Sequence, residues 1–238
     1  MANRDAAEQR IRKMLVGQEF FRKTVLSILH DTCEEELKVH QLRLGRQEVL
    51  ALAEALTLTT RLKKLNLGHN DIGDEGGKAI AAALKHNKSV THLNLSGNEI
   101  GKAGGKAIAA ALKKSTSNTH LDLSWNKIGG EGAKAIAEGL KYNTSVTHLD
   151  LDGNNIGVEG AKAVAGGLTG STSVTHLNLS WNSIGDEGGK TLLSSLTVNT
   201  TIKQLKCFSP NLKNSTAFAR LLATTHHRRP DVDVSFSE

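Results

Sequence analysis

The stretch Val90–Ser117, VTHLNLSGNEIGKAGGKAIAAALKKSTS, decides the fold, because most of the chain repeats it. One leucine position recurs at a fixed step of 28 residues, at Leu65, Leu93, Leu121, Leu149, Leu177 and Leu205. Repetition at a period of about 20 to 50 residues is typical of stacked supersecondary units that bury their apolar faces against one another. The sequence therefore predicts one continuous array rather than two separate globular domains.

The repeats are regular in the middle of the chain and degenerate towards its ends. Regular repeats begin at Leu62, Val90, Asn118, Val146 and Val174. One period earlier, Leu37 is kept, but Leu42 stands where the regular repeats have asparagine. One period after the last regular repeat, Cys207 occupies a leucine position and Pro210 the asparagine position. We interpret these flanking segments as a degenerate repeat and a half-repeat.

The two ends of the chain are expected to cap the array. Apolar residues at helical spacing in residues 1–33, including Phe20, predict one or two amphipathic helices. Residues 217–222 fit a last helix, and the alternation over residues 232–236 predicts a short charged edge strand. The expected organisation is an N-terminal helical cap in residues 1–33, an array of one degenerate and five regular repeats in residues 34–201, and a C-terminal half-repeat and cap in residues 202–238.

Each repeat is predicted to form a short strand, a turn and a helix. In the quoted stretch, Leu93 and Leu95 alternate with polar residues, which is the period of a strand. An asparagine column follows at the turns, in Asn70, Asn98, Asn126, Asn154 and Asn182. We expect its side chains to satisfy backbone groups of the adjoining turns. A glycine column then marks positions where a positive φ or a close backbone approach is expected, in Gly73, Gly101, Gly129, Gly157 and Gly185. Ile108 and Leu112 mark the buried face of the following helix.

The spacing of these elements predicts a curved stack. Strands lie about 4.8 Å apart, whereas helices need about 8–10 Å, so the strands must lie on the inside of the curve. The segments LNLSGNEIG, LDLSWNKIG, LDLDGNNIG and LNLSWNSIG fit the pattern L-x-L-x-x-N-x-[IL]-G. On these residues the chain resembles the leucine-rich-repeat family, in particular its ribonuclease-inhibitor-like subclass, which also occurs in NOD-like receptors. The resemblance covers about Leu37 to Leu222. It implies an α/β solenoid shaped as a curved horseshoe, with a parallel β-sheet on the concave face and α-helices on the convex face.

Composition narrows the cellular setting and the class of partner. The formal net charge of +6 is too small to indicate nucleic-acid binding by itself. The first residues contain no apolar run typical of a signal peptide, and no segment reaches the roughly 18 apolar residues of a membrane span. Cys33 and Cys207 are expected to lie too far apart along the stack for a disulfide, whose Cα atoms lie within about 7 Å. We therefore expect a monomer in the cytoplasm, or in the cytoplasm of a host into which it is delivered.

A histidine column lies among the residues predicted to face the concave side. It consists of His92, His120, His148 and His176. A second column runs beside it, in Asn66, Asn94, Asp122, Asp150 and Asn178. A shared transition metal is one interpretation of this pattern. The favoured interpretation is that the repeat copied its histidine and that each imidazole pairs with an asparagine or aspartate across the sheet. A third hypothesis is that histidine protonation makes binding at this face depend on pH. We predict neither a metal nor a cofactor.

The column at the strand exits differs between repeats, and both tryptophans of the chain lie in it. It reads His69, Gly97, Trp125, Gly153 and Trp181. An exposed tryptophan beside a small residue could serve as a rigid anchor with an adjoining pocket, the composition of a binding hot spot. The alternative is that each indole lies across its glycine neighbour and only covers the sheet. The predicted partner-binding residues are Trp125, Trp181, His69, His92, His120, His148, His176, Asp122, Asp150 and Asp152.

Catalysis finds no support in the sequence, which has no P-loop, no G-x-S-x-G and no C-x-x-C. We expect a non-catalytic module that binds a partner protein through the concave face and its tryptophan-bearing rim. Similar repeat proteins are scaffolds, innate-sensor repeat domains and bacterial effectors. An alternative is an enzyme regulator such as a Ran-type GTPase activator, although the acidic tail usual in that group is absent. Binding of RNA or acidic membrane by the basic termini is a third hypothesis, and the convex face lacks the aromatic residues that favour nucleic-acid binding.

Overall fold

The computed structural model describes residues 2–208 and 216–235, within which strands and helices alternate along the chain. The strands are β1 (Glu36–Lys38), β2 (Lys64–Asn66), β3 (His92–Asn94), β4 (His120–Asp122), β5 (His148–Asp150), β6 (His176–Asn178), β7 (Gln204–Lys206) and β8 (Asp233–Ser235). The helices are α1 (Ala2–Met14), α2 (Glu19–Leu29), α3 (Arg46–Leu56), α4 (Gly73–Leu84), α5 (Lys102–Leu112), α6 (Gly129–Leu140), α7 (Gly157–Leu168), α8 (Gly185–Ser195) and α9 (Thr216–Arg228).

The strands form one open sheet in which every neighbouring pair is parallel and the order follows the sequence, from β1 to β8. The register repeats the period of the sequence, so that Leu93 lies opposite Leu121 and His92 lies opposite His120. Equivalent residues of successive repeats therefore form straight columns across the sheet. This confirms the predicted α/β leucine-rich-repeat solenoid, with the sheet on its concave face and the helices on its convex face.

Each repeat buries its leucines and one helix face in a shared core. Leu93 and Leu95 are almost fully buried below the sheet, and Ile108 and Leu112 meet them from α5. Lys106 stays exposed on the other side of that helix. Small residues on the buried helix faces allow the close helix packing that a sheet with narrow strand spacing requires. The sequence predicted this division of each helix.

The asparagine column links neighbouring turns through hydrogen bonds. Asn98 donates through Nδ2 to the carbonyls of Leu67 (2.8 Å) and Ser96 (3.0 Å), while its Oδ1 accepts from the backbone N–H of Asn70 (2.9 Å). Asn98 is fully buried, and its amide thus provides hydrogen-bond partners to backbone groups of its own turn and of the preceding repeat. The prediction for this column is confirmed.

The glycine column is less uniform than predicted. Gly73, Gly129, Gly157 and Gly185 have positive φ, as expected. Gly101 instead has an extended backbone with φ −95°, and its N–H donates to the Asp74 carboxylate at 2.9 Å. The same carboxylate oxygen accepts from Gly104 N–H at 2.6 Å, so an aspartate from the preceding repeat caps the start of α5.

Helices α1 and α2 lie against the first repeat. Ile11, Val25 and Ile28 are fully buried there, in agreement with the predicted amphipathic helices. Phe20 departs from that prediction, because its side chain is 83% exposed while the neighbouring Phe21 is buried.

The C-terminal helix and strand are also present. β8 continues the sheet parallel to β7, and Gln204 donates to the Asp233 carboxylate at 2.8 Å. Phe236 and Pro210, which the sequence placed in the edge strand and in the asparagine column, lie outside the described residues.

Cys33 and Cys207 are buried free thiols. In the described part of the chain, no helix is both long and apolar enough to cross a membrane.

Candidate binding face

The concave face is built from four parallel columns of side chains that follow the chain through each strand and its exit. We call them the threonine column (Thr91, Thr119, Thr147, Thr175), the histidine column (His92, His120, His148, His176), the Asx column (Asn66, Asn94, Asp122, Asp150, Asn178) and the rim column. The threonine column precedes the strands, and the histidine and Asx columns flank the buried leucines. The rim column is the predicted exit column, with His69, Gly97, Trp125, Gly153 and Trp181. A groove of about 390 Å³ runs along the histidine and Asx columns.

The four histidines of the column form one continuous stack of rings. Ring centroids lie 4.0 Å apart from His92 to His120 and from His120 to His148, and 4.1 Å apart from His148 to His176. The angles between successive ring planes are only 8–12°. Three-residue strands in strict register hold the rings in this arrangement.

Each histidine pairs with the threonine before it, which corrects the predicted pairing with the Asx column. Thr91 Oγ1 lies 2.9 Å from His92 Nδ1, and Thr147 Oγ1 lies 2.8 Å from His148 Nδ1. The carbonyl of Lys63, which also lies within reach of the Thr91 hydroxyl, already accepts two backbone N–H groups. We therefore assign the Thr91 hydroxyl proton to Nδ1, which leaves Nε2–H as the donor that faces the groove.

Stacking and partial burial keep the central imidazoles uncharged. Loss of hydration and the neighbouring rings lower the pKa of His120 to about 4, and the pKa of His148 is lowered by the same causes. The hypothesis that histidine protonation controls binding near neutral pH therefore has little basis at these two residues.

The ring geometry also bears on metal binding. The in-plane nitrogen lone pairs of parallel rings point in parallel directions, and so two stacked imidazoles cannot converge on one ion. Among the described residues, no group of three or more histidine, cysteine, aspartate or glutamate side chains is placed to hold a metal ion.

The Asx column organises the strand exits and carries two aspartates at its centre. Asp122 Oδ1 accepts from the N–H (2.9 Å) and hydroxyl (2.7 Å) of Ser124. Asp150 accepts from the N–H of Asp152 (2.9 Å) and from the Asn178 amide (3.1 Å). Burial raises the pKa of the Asp150 carboxyl.

Asp152 breaks this pattern, because the equivalent residues in the neighbouring repeats are serines. Its carboxylate cannot donate to Asp150 as Ser124 donates to Asp122, and its Oδ1 is buried with no hydrogen-bond partner among the described residues. Burial and the nearby Asp150 charge raise the pKa of Asp152 to about 6. At the centre of the face, the Asp150 carboxylate is thus hydrogen-bonded, whereas the Asp152 carboxylate has a buried oxygen without a partner among the described residues.

Every residue of the rim column adopts the left-handed backbone region, glycine or not. Trp125 and Trp181 have φ of 54° and 55°, and Gly97 and Gly153 have φ of 61° and 63°. The N–H of Trp125 donates to the Asp152 carbonyl at 2.7 Å, which extends the strand pairing by one more bond. Glycine adopts this region freely, whereas a tryptophan there costs roughly 1 kcal/mol of backbone strain.

The aromatic rings of the column lean onto the next repeat. A Cβ on Gly153 would lie 3.1 Å from the Trp125 indole, and one on Gly97 would collide with the His69 ring. Trp181 meets Phe208 edge to face at 4.9 Å. The space beside each glycine is therefore filled by a ring, which corrects the expected open pocket. Trp125 nevertheless stays 59% exposed and Trp181 45% exposed.

The structure places the predicted site residues in three groups on one face. Four histidines lie in the stack, Asp122, Asp150 and Asp152 lie at the centre, and the rim holds Trp125, Trp181 and His69. The threonine partners were not predicted, although a threonine precedes each of these histidines in the sequence. Phe208 was not predicted either, because its position in the irregular half-repeat follows no column of the regular repeats.

Known proteins were compared with this chain through family models, curated sequences and solved structures. The family model described as Leucine Rich repeat matches residues 60–81, 86–109, 119–137, 142–165 and 170–193. Among solved structures, the chain is similar to "Leiomodin-1 Actin-Binding Site 2 (ABS2)", with 19% identity, a TM-score of 0.40 and coverage of 89% of this chain and 90% of that chain. It is also similar to a tropomodulin C-terminal domain of Caenorhabditis elegans, with 9% identity, a TM-score of 0.39 and coverage of 89% and 93%. No curated protein sequence matches.

Proposed function

The chain belongs to the leucine-rich-repeat family, and we propose that it binds a partner protein on its concave face through the tryptophan-bearing rim. Repeats of this family form protein-interaction modules, because their open sheet offers one large, rigid surface. We further propose that the repeats are of the ribonuclease-inhibitor-like subclass, from their period and from the helix in each regular repeat. The division into caps and array at residues 33 and 201 belongs to the same proposal.

The observation that carries the proposal is the conformation and exposure of Trp125 and Trp181. Both residues adopt a backbone conformation that glycine adopts more easily, and glycine does occupy the alternate repeats. Both also keep about half of their side-chain surface exposed to solvent. Strain and exposure together are unfavourable for the free protein, and they are typical of residues that gain their contacts from a partner.

Two further features support a binding role without catalysis in a reducing compartment. The central histidines are stacked, and each pairs with the threonine before it, an arrangement that every repeat of the column copies and that needs no catalytic role to explain it. The two cysteines are buried free thiols, which fits a cytoplasmic protein. We propose a monomeric, non-catalytic module of the cytoplasm.

Affinity capture with matched variants tests the proposal. The wild type is compared with the double variant Trp125→Gly/Trp181→Gly, which copies the residue of the neighbouring repeats and should therefore fold. Tyr142→Ala is the control, because Tyr142 is an equally exposed aromatic residue (62%) outside the concave face. We expect a protein that is held by the wild type and by Tyr142→Ala to be lost from the double variant. Equal retention by the double variant would refute the rim as the binding surface.

A further inference from the structure

The tryptophan rim lies beside the only part of the Asx column that carries negative charge. Asp122 and Asp150 occupy the column in β4 and β5, whereas the described neighbours on either side are Asn94 and Asn178. Asp152 lies two residues after the end of β5, and its carbonyl accepts a hydrogen bond from the backbone N–H of Trp125. The indole of Trp125 then covers Gly153, the next residue. Carboxylates and an exposed aromatic face therefore adjoin at the centre of the concave face.

These carboxylates have no cation of their own. Among the ion pairs of the described residues, none involves Asp122, Asp150 or Asp152. The positive charge of Lys206 lowers the pKa of the Asp150 carboxyl, but the two side chains do not form an ion pair. On the convex helices, by contrast, Glu159 pairs with Lys162 at 3.1 Å. The negative charge on the concave face is thus available to a partner.

The exposed indoles are also without a cation. The cation–π contact found in the described part of the chain lies elsewhere, with Lys113 Nζ 5.2 Å from the Tyr142 ring centroid. A guanidinium or ammonium group prefers the face of an indole, and a neighbouring carboxylate strengthens its binding. Within one repeat, Trp125 offers the indole face and Asp122 offers the carboxylate.

From this charge complementarity we propose that the partner docks a segment bearing arginine or lysine side chains over Trp125 and Trp181, against Asp122, Asp150 and Asp152. This inference rests on the proposed function and adds the chemistry of the partner. Lys78, Lys162 and Lys190 on the convex helices are each paired with a glutamate of the same helix, whereas the three aspartates of the concave face form no ion pair among the described residues. A basic segment therefore finds uncompensated carboxylates on the concave face. Nucleic acid is disfavoured at this site, because its phosphates would face the three carboxylates.

Titration with defined peptides tests the proposal. The probe is an oligo-arginine peptide, with an oligo-glutamate peptide of equal length as its counterpart, and the readout is the fluorescence of the two tryptophans. The variant Asp122→Asn/Asp150→Asn/Asp152→Ser replaces each carboxylate by the residue that a neighbouring repeat carries, so the fold should be kept. Its control is Glu131→Gln/Glu159→Gln/Glu187→Gln, which removes the same number of charges from the convex helices.

We expect oligo-arginine to bind the wild type and the convex control alike, and to bind the aspartate variant at least about tenfold more weakly. Failure of oligo-arginine to bind the wild type, equal binding to the aspartate variant, or preference for oligo-glutamate would each overturn the proposal. If oligo-arginine fails while protein capture still depends on the tryptophans, the basic partner is wrong and the binding face stands. If capture is independent of the tryptophans, the proposed function itself is wrong.

Discussion

In the proposed function, one position of the repeat carries the binding role, the position that Trp125 and Trp181 occupy. The left-handed backbone at the rim column is imposed by the turn that leaves each strand, and glycine would meet this demand without strain. The side-chain bodies rest on the next repeat, over Gly153 and against Phe208. This support fixes the indoles while leaving much of their surface exposed, so little side-chain entropy remains to be lost on binding.

The support under Trp125 can be removed without touching the tryptophan. In Gly153→Ala, the alanine must keep the positive φ of this position, and its Cβ lies 3.1 Å from the Trp125 indole, so the ring must move. We expect a loss of about 1 kcal/mol in the free energy of unfolding, a shift of tryptophan emission and weaker partner binding. Urea unfolding and fluorescence measure these effects.

Gly166→Ala is the matched control for this change. Gly166 lies in α7, and a Cβ there meets no other atom within 4 Å. Alanine should stabilise the helix by about 0.5–1 kcal/mol and leave tryptophan emission unchanged. Identical behaviour of the two variants would contradict the proposed role of Gly153 as a seat for the indole.

Asp152 is expected to make stability depend on pH. Its pKa is raised from 3.8 to about 6 in the folded state, so between these values the folded state binds more protons than the unfolded state. Its contribution to stability therefore falls as pH rises from about 4 to about 6, and stays low above that range. Asp152→Ser removes the titrating carboxyl group and introduces the serine that the neighbouring repeats carry.

We expect Asp152→Ser to be more stable than the wild type by about 1 kcal/mol near neutral pH, with a smaller difference near pH 5. Urea unfolding of both proteins at the two pH values tests this, and other titrating groups cancel in the difference. A stabilisation that is constant with pH, or that grows as pH falls, would show that Asp152 is not the responsible group.

At the scale of elements, the repeat period predicted the strands, the helices and the buried face of each helix. Every layer must pair its strand and pack its helix against the neighbouring layers, so the same residue types recur. The buried leucines, the asparagine column and the small residues of the helices follow from strand pairing and layer spacing alone. The rim column could also be located, since its members are the residues at which the copies differ.

The contacts among side chains of the concave face could not be predicted, because they depend on rotamers and on the local spacing of strands. A stack with imidazole centroids 4.0 Å apart, closer than the strand spacing near 4.8 Å, forms only when successive histidines adopt the same side-chain orientation. The pairing of His92 with Thr91 likewise requires that the threonine hydroxyl faces the ring rather than the sheet. The extended backbone of Gly101 depends on Asp74, a residue that the period does not repeat uniformly.

The asparagine column is predicted to hold neighbouring layers together. Asn126 is buried, donates to the carbonyls of Leu95 and Leu123 at 2.9 Å, and accepts from Ile100 N–H at 2.8 Å. Asn126→Ala leaves these groups without partners, and we expect a loss of about 3 kcal/mol in the free energy of unfolding. Lys127→Ala, an exposed change on the same turn, should cost less than about 0.5 kcal/mol in the same urea titration. A small loss for Asn126→Ala would mean that water replaces the amide.

At the scale of the whole molecule, stability should be local because each layer contacts only its neighbours. The N-terminal helices cover the first layer, and Ile28 of α2 is fully buried there. Ile28→Asp buries a charge in this cap. Amide hydrogen exchange should therefore accelerate in α3 and α4 and remain slow in α7.

Phe20→Asp provides the control on the same helix, because Phe20 is 83% exposed and should tolerate the charge without a change in exchange. If Ile28→Asp accelerates amide hydrogen exchange equally in all helices, stability is not local, and the array unfolds as a single cooperative unit.

The charge distribution of the whole molecule places the proposed partner on one side. Lysines on the convex helices are paired with glutamates, as Lys162 is with Glu159, while Asp122, Asp150 and Asp152 lie at the centre of the concave face without an ion pair among the described residues. We expect these unpaired carboxylates to orient the proposed basic partner towards the tryptophan rim.

Hydroxyl-radical footprinting of the complex with the captured partner tests the central claim most directly. The indoles of Trp125 and Trp181 are half exposed in the free protein, and Tyr142 outside the face is exposed to a similar degree. The account predicts that partner binding protects both tryptophans from oxidation and leaves Tyr142 oxidised at its free rate. Protection of Tyr142 or of the convex helices, with both tryptophans oxidised as in the free protein, would contradict it.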